Sequence, residues 1–185
     1  MLYRVNAGFL PQSHWAQDTV EGGGRIVGEM CHFVDVFQFL AKSAPVRVTA
    51  VASPPAADAH AADNISASIT FSDGSVGTLV YASQGDPSAP RERLEAYGDG
   101  SVAIVENYAT ARFTRCGTTR GMRRLSRDMG HNDEVRAYID SIVAGGPAPI
   151  AFRDIVAATL TTFAIVESIR RGGAPVPVEV DSWLS

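Results

Sequence analysis

Residues 22–40 read GGGRIVGEMCHFVDVFQFL, and this stretch decides much of the fold. Apolar residues recur here at three- and four-residue steps, which predicts one face of an amphipathic helix. The residues of that face are Ile26, Val27, Met30, Phe33, Val34, Phe37 and Leu40. Pro45 prevents the helix from continuing, because the residue before a proline avoids helical geometry. The stretch therefore predicts a single long helix that buries one side.

A long β region follows this helix. Strands are predicted at 46–52, 64–71 and 76–82, and the Asp73-Gly74 step between the last two is typical of a tight hairpin turn. Further strands at 91–97, 101–106, 109–115 and 122–126 flank turns at 98–100 and 116–121. Successive hairpins of this kind predict an antiparallel meander.

The remaining elements are a strand at 2–6, helices at 131–143 and 155–170, and a last strand at 176–180. Asp154 is predicted to cap the second of these helices. The fold class is therefore α+β, with a large, predominantly antiparallel open sheet and helices packed on one face, as one domain over residues 1–185. The other sheet face is a candidate interface, with Tyr81, Tyr97 and Phe113 in its strands. A strand that starts almost at residue 1 leads us to expect a chain cut from a longer protein.

Composition excludes several classes of function. With 45% hydrophobic and 19% charged residues the chain can build a core, and a net charge of -4 gives no general attraction for nucleic acid or an anionic membrane. Arginines cluster on the last predicted hairpin, but oligomer contacts or solvated edge charges explain them better than nucleic acid does. No apolar run reaches transmembrane length. Cys31 and Cys116 form no metal motif, so we expect a reduced, cytoplasmic protein without a metal site.

The glycine-led helix also carries the most informative polar residues. Arg25, Glu29 and His32 fall on one stripe of it. A carboxylate one turn before a histidine can hydrogen-bond the ring and raise its basicity, and such a histidine can take a proton from a hydroxyl that is being oxidised. Arg25 adds fixed positive charge for an anionic group. The same stripe is also typical of the plain polar face of a helix, and spacing alone leaves both interpretations open.

Three further residues are candidates for contact with a substrate. Asn6 and Trp15 precede the helix and could line a sugar pocket, although packing is the more frequent role of a lone tryptophan. Asp35 lies one turn after His32 and could bind substrate or orient the helix end. The glycine triplet lacks the G-x-G-x-x-G spacing of a dinucleotide site, so no residue of this chain is predicted to bind a cofactor.

The run GGGRIVGEMCHFVDVFQFL resembles the helix that opens the C-terminal domain in the Gfo/Idh/MocA family, which includes glucose–fructose oxidoreductase and inositol dehydrogenase. The order of the other motifs strengthens the resemblance over nearly the whole chain. Tyr3-Arg4-Val5-Asn6 precedes the helix, FSDGSVGTLVYAS and AYGDGSVAIVEN follow it, and a helix pair ends near Gly172.

The resemblance implies an oxidoreductase that acts on a sugar, inositol or related polyol, with NAD or NADP bound by an N-terminal Rossmann domain that this chain lacks. It implies that His32 acts in acid/base chemistry and that the domain forms a homo-oligomer through its open sheet face. The isolated chain should bind no cofactor and should not turn over substrate without a Rossmann domain in cis or in trans.

Family members often carry an aspartate four residues before the histidine, and here that position is Gly28, so Glu29 is expected to take its place. Two other functions remain open at this point. The chain could be a non-catalytic, stand-alone sugar-binding or assembly module derived from the same domain. A metal-dependent hydrolase is the weaker alternative, because Glu29 and His32 alone do not complete a zinc site.

Overall fold

A computed structural model describes residues 1–11, 13–18, 20–53, 59, 62–126 and 128–184. Within these ranges nine strands form one sheet, in the order β8-β7-β6-β5-β1-β4-β3-β2-β9. In chain order they are β1 (Leu2–Asn6), β2 (Pro45–Ala52), β3 (Asn64–Phe71), β4 (Val76–Ala82), β5 (Glu92–Gly98), β6 (Ser101–Glu106), β7 (Thr110–Arg115), β8 (Thr118–Arg123) and β9 (Val176–Pro177). Neighbours pair antiparallel except β1 and β4, which run parallel. The α+β class and the predominantly antiparallel open sheet predicted from the sequence are confirmed.

Four α-helices and a short 3-10 helix, Trp15–Gln17, accompany the sheet in the described ranges. The α-helices are α1 (Gly24–Ala41), α2 (His131–Ala144), α3 (Phe152–Arg170) and α4 (Asp181–Leu184). Helices α1 and α3 pack against each other and cover one face of the sheet. None of the helices in those ranges has the length and apolar character that a membrane span requires.

The core lies between α1, α3 and the central strands. The ring centroids of Tyr3 on β1 and Phe33 on α1 are 4.8 Å apart. Gly77 on β4 lets α1 come close, since a Cβ there would lie 2.7 Å from the ring of Phe37. Strand β3 has the predicted bounds and alternates between buried and more exposed residues, with Ile65 and Ile69 among the buried ones. The apolar period of each element therefore fixes which side faces the core.

Helix α2 stands apart from this core. Its side chains are exposed or half-buried throughout, including the apolar Val135, Tyr138 and Ile142. These apolar residues lie on one face of the helix, and that face meets solvent rather than the sheet.

Three local expectations were wrong. The last strand is shorter than predicted, because β9 spans Val176–Pro177 instead of residues 176–180. The last hairpin turns at Cys116 and Gly117, both at positive φ, so β8 begins at Thr118 instead of residue 122. The exposed, polar start of β8 hides the alternation that marks a strand. Asp154 is not a cap, because α3 already begins at Phe152 after Ala151 and Asp154 lies inside its first turn.

The aromatic residues predicted in the strands do not share one face. Tyr81 is buried beneath α1. Tyr97 pairs with Val102 and Phe113 pairs with Ala103, and adjacent strand residues point to opposite faces. Tyr97 therefore lies on the open face, whereas Phe113 lies on the side of the helices.

Candidate functional site

A cleft of about 340 Å³ lies at the start of α1. Helix α1 contributes Arg25 and Glu29, the 3-10 helix contributes Trp15, and Arg91 comes from the segment just before β5. Trp15 is 62% exposed, so much of its ring is free to meet a ligand. The structure thus brings together three residues predicted from the sequence, Arg25, Glu29 and Trp15, and adds Arg91.

Arg25 forms the buried wall of this cleft and is only 3% exposed. Its Nε donates to the hydroxyl of Tyr81 at 2.6 Å and lies 3.2 Å from Oε2 of Glu29. The Tyr81 hydroxyl in turn donates to the same Glu29 oxygen. Burial and the hydrogen bond to Glu29 raise the pKa of Tyr81 well above its usual range, so the phenol stays protonated. Arg25, Tyr81 and Glu29 therefore form one charged, hydrogen-bonded group.

Arg91 closes the cleft from the opposite side. Its Nη2 donates to Oε1 of Glu29 at 2.7 Å and its Nη1 donates to the Ala7 carbonyl at 3.1 Å. Its Nε donates to Oε1 of Glu92 at 3.3 Å. A buried carboxylate needs donors to offset its lost hydration, and Glu92, 5% exposed, also accepts from the Tyr3 hydroxyl at 2.6 Å. Arg91 therefore bridges two carboxylates.

The glycine triplet packs on α1. A Cβ at Gly22 would lie 2.4 Å from the Trp15 carbonyl oxygen, and a Cβ at Gly28 would lie 2.8 Å from the Gly22 carbonyl oxygen. Positions 22 and 28 consequently have no room for a side chain while the segment keeps this path. Glu29, the next residue along the helix, lines the cleft.

Asn6 supports the site without lining the cleft. Its Nδ2 donates to the Asp86 carbonyl at 2.7 Å, and a Cβ at Gly85 would lie 2.1 Å from its Oδ1. Asn6 thus fixes the loop between β4 and β5, which leads into Arg91.

His32 lies on the exposed side of α1, one turn beyond Glu29. Within the described residues no hydrogen bond joins it to Glu29, whose two oxygens are taken by Tyr81, Arg25 and Arg91. The expected pairing of the carboxylate with the ring is therefore absent from this arrangement. The imidazole is free to meet a ligand at the surface of the helix.

Asp35 lines a second, larger groove between α1 and the start of α3, together with Asp154 and Gln38. Burial, and next the negative charge of Asp154, raise the pKa of the Asp35 carboxyl. The candidate residues thus divide between the Arg25–Glu29 cleft, the exposed His32 and this groove.

The comparisons with known proteins agree with this architecture. The fold and the site define the class of this protein. It is an α+β domain with an open sheet and with a glycine-led helix beside a charged cleft. Residues 2–103 match the model of the GFO/IDH/MocA C-terminal domain, and the chain belongs to that family. Among curated proteins no match to the chain was found.

Solved structures with the same fold include three named enzymes. Levoglucosan dehydrogenase in complex with NADH has a TM-score of 0.78 at 19% identity, over 96% of this chain and 57% of that one. UDP-N-acetylglucosamine 3-dehydrogenase from Acidithiobacillus ferrooxidans has a TM-score of 0.72 at 20% identity, over 92% of this chain and 53% of that one. Aldose–aldose oxidoreductase from Caulobacter crescentus in complex with glycerol has a TM-score of 0.74 at 17% identity, over 95% and 55%. The chain spans about half the length of these proteins, and at such identities the likeness shows the fold alone.

Sequence reasoning missed Tyr81, Arg91 and Glu92 as parts of the site. Tyr81 reads as an ordinary aromatic strand residue, and Arg91-Glu92 as the start of a strand. Tyr81 lies in the run FSDGSVGTLVYAS, where nothing distinguishes it from a packing residue, and Arg91-Glu92 lies outside the quoted motifs. A signal was present only in the unusual run Arg91-Glu92-Arg93, which places three charges at the entry of a strand beside the buried core.

Proposed function

We propose that this chain is the substrate-binding part of an oxidoreductase that acts on a sugar, inositol or related polyol. The observation that carries the proposal is the convergence of Arg25, Glu29, Arg91 and an exposed Trp15 on one cleft. Paired guanidinium and carboxylate groups offer both donors and acceptors to hydroxyl groups, and an exposed indole offers an apolar face to a sugar ring. Membership of the family and the sugar-acting names of the structural neighbours support it.

The residues present do not fit a nicotinamide dinucleotide. Such a cofactor binds where a glycine loop leaves a parallel strand and opens a helix. Here the triplet follows a 3-10 turn and packs closely on Trp15 and Gly28. NAD or NADP therefore belongs to a separate Rossmann domain, in cis or in trans. We assign no hydride-transfer step to this chain and expect it to be inactive alone.

His32 is the proposed acid/base residue. Its ring is exposed on α1, one turn from the cleft residue Glu29. In this role it takes the proton of a substrate hydroxyl, and Glu29 acts as a binding group whose orientation Tyr81 and Arg91 fix. Asp35, one turn further, is proposed to contact the substrate on the far side of His32. Asn6 supports the cleft through the loop it holds.

Tryptophan fluorescence tests the binding site directly, because the chain has two tryptophans. Trp183→Phe leaves Trp15 as the only reporter, and Trp15→Phe leaves the exposed Trp183 as a matched control. Titration with D-glucose, myo-inositol and glycerol should change the emission of the first variant and not of the second. We expect a dissociation constant of roughly millimolar size, because this chain would supply only part of the substrate site. No response to any polyol would favour the assembly-module alternative, and tight binding of NADH would contradict the division of roles.

The homo-oligomer is proposed to form through the open sheet face. That face carries Tyr97, and its cross-strand partner Val102, beside Ile104. Ile104→Arg should reduce the mass measured by analytical ultracentrifugation. Val143→Arg, which adds the same charge on the exposed helix α2, should not. A monomeric wild type would refute this part of the proposal.

A further inference from the structure

Arg25, Tyr81, Glu29, Arg91 and Glu92 form the charged cluster of the cleft. A turn with an unfavourable backbone conformation lies beside Glu92, at the end of this cluster away from Arg25. Asn107 and Tyr108 are the first two residues of the turn between β6 and β7, and their φ angles are 53° and 55°. Two successive positive φ values are typical of a type I′ hairpin turn, whose second position is usually glycine. A bulky tyrosine is unfavourable in this region of φ, and such residues persist where the surroundings hold them.

The contacts of this turn show what holds it. The Asn107 backbone N–H donates to the Glu92 carbonyl at 2.8 Å, and the Asn107 side-chain oxygen accepts from the Arg91 backbone N–H at 3.2 Å. The Tyr108 hydroxyl donates to the Glu92 carboxylate, which also accepts from Tyr3. The turn therefore holds Arg91 and Glu92 by hydrogen bonds from both its backbone and its side chains.

The hydrogen bonds continue from Glu92 through Arg91 to the cleft. The buried carboxylate of Glu92 accepts a hydrogen bond from Nε of Arg91, and Nη2 of the same guanidinium donates to Glu29. Because a guanidinium is planar, contact with both carboxylates fixes the orientation of the whole group. Loosening Glu92 would remove the contact at Nε and leave the guanidinium oriented only by the Ala7 carbonyl and Glu29, so that it becomes more mobile in the cleft.

We infer that Tyr108 is a positioning residue for the cleft, which acts through Glu92 to orient the guanidinium of Arg91 toward Glu29 and the ligand. Arg91 is accordingly a ligand-contacting residue, and Tyr108 never needs to touch the ligand. The identity of the ligand rests on the function proposed above, whereas the orientation of Arg91 can be measured without any ligand.

The first test compares Tyr108→Phe with Tyr97→Phe in the complete 185-residue chain. Tyr97 is the matched control, since its hydroxyl also donates to a glutamate, Glu95, but outside the cluster. The readout is the side-chain Nε–H signal of Arg91 in ¹⁵N NMR spectra, assigned by its loss in Arg91→Lys. Tyr108→Phe should shift the signal toward that of free arginine and increase its fast mobility. Tyr97→Phe should leave it as in the wild type.

A second variant covers the case in which Tyr108→Phe does not fold. Glu92→Gln keeps the volume and an acceptor for Tyr108 but removes the charge that holds Arg91, and it should loosen the Arg91 signal in the same way. An Arg91 signal unchanged in a folded Tyr108→Phe or Glu92→Gln chain would overturn the inference.

The ligand arm separates this inference from the proposed function. Binding of D-glucose, followed by Trp15 fluorescence, should weaken by about fivefold in Tyr108→Phe and stay unchanged in Tyr97→Phe. Equal affinity in both variants, with Arg91 loosened, would show that Arg91 does not contact the ligand and would overturn that part. A wild-type chain that binds no polyol, with Arg91 still loosened by Tyr108→Phe, would refute the proposed function and leave the positioning intact.

Discussion

Replacing Tyr81 by phenylalanine removes one oxygen atom from the centre of the charged cluster and leaves the ring in place. The residue is 1% exposed, and its hydroxyl donates to Glu29 and accepts from Nε of Arg25 at 2.6 Å. A hydrogen bond to a charged group contributes about 1.5–3 kcal/mol. Since Arg25 and Glu29 remain in contact at 3.2 Å, part of the loss is recovered. We therefore expect the free energy of unfolding to fall by about 2–4 kcal/mol.

Urea unfolding followed by circular dichroism measures this change, with Tyr138→Phe as the control. Tyr138 is exposed on α2, so the loss of its hydroxyl should leave the urea midpoint unchanged. If Tyr81→Phe unfolds at the same urea concentration as the wild type, the ion pair of Arg25 and Glu29 holds the cluster without the hydroxyl. The Tyr81 hydroxyl would then not be a stabilising member of the cluster.

Three further changes have defined outcomes. Gly28→Asp should lower the free energy of unfolding by about 1–3 kcal/mol, because its Cβ would lie 2.8 Å from the Gly22 carbonyl oxygen; urea titration checks this. Asp35→Asn should raise the melting temperature at about pH 7 but not at about pH 3. Burial and the charge of Asp154 raise the pKa of Asp35, so ionisation at neutral pH destabilises the folded wild type and protonation at low pH removes that cost. Burial raises the pKa of Tyr108 to about 12, so the folded chain should lose stability as pH rises from about 10 toward 12, and Tyr108→Phe should reduce that loss in alkaline melts.

The parts of the fold that depend on local chemistry could be predicted from the sequence. The three- and four-residue period of α1 fixed its apolar face, and Phe33 and Phe37 indeed pack on the sheet. The alternation of β3 and the Asp73-Gly74 turn gave the hairpin with β4. These features follow from the spacing of apolar residues and from nearby prolines and glycines. They can therefore be predicted without knowledge of the rest of the chain.

The parts that depend on distant pairing could not be predicted in this way. Strand β1 enters the sheet between β4 and β5, parallel to the first and antiparallel to the second. No local pattern encodes that order, yet it places the β4 residue Tyr81 and the residue before β5, Arg91, on either side of Glu29. The site residues on α1 were accessible to sequence reasoning, and their partners were not.

The position of the acidic residue in this chain follows from the same packing. The family resemblance implies that an aspartate is frequent at position 28, but here the Gly22 carbonyl leaves no space for a side chain at that position. Neighbouring helix positions differ by about 100° in direction, so the carboxylate of Glu29 points to another part of the surface than a side chain at position 28 would. At position 29 the carboxylate accepts from Tyr81 and Arg91. The close-packed glycine triplet and the donors Tyr81 and Arg91 thus both favour a carboxylate at position 29 over one at position 28. An aspartate introduced at position 28 would have to displace the triplet before it could enter the cleft.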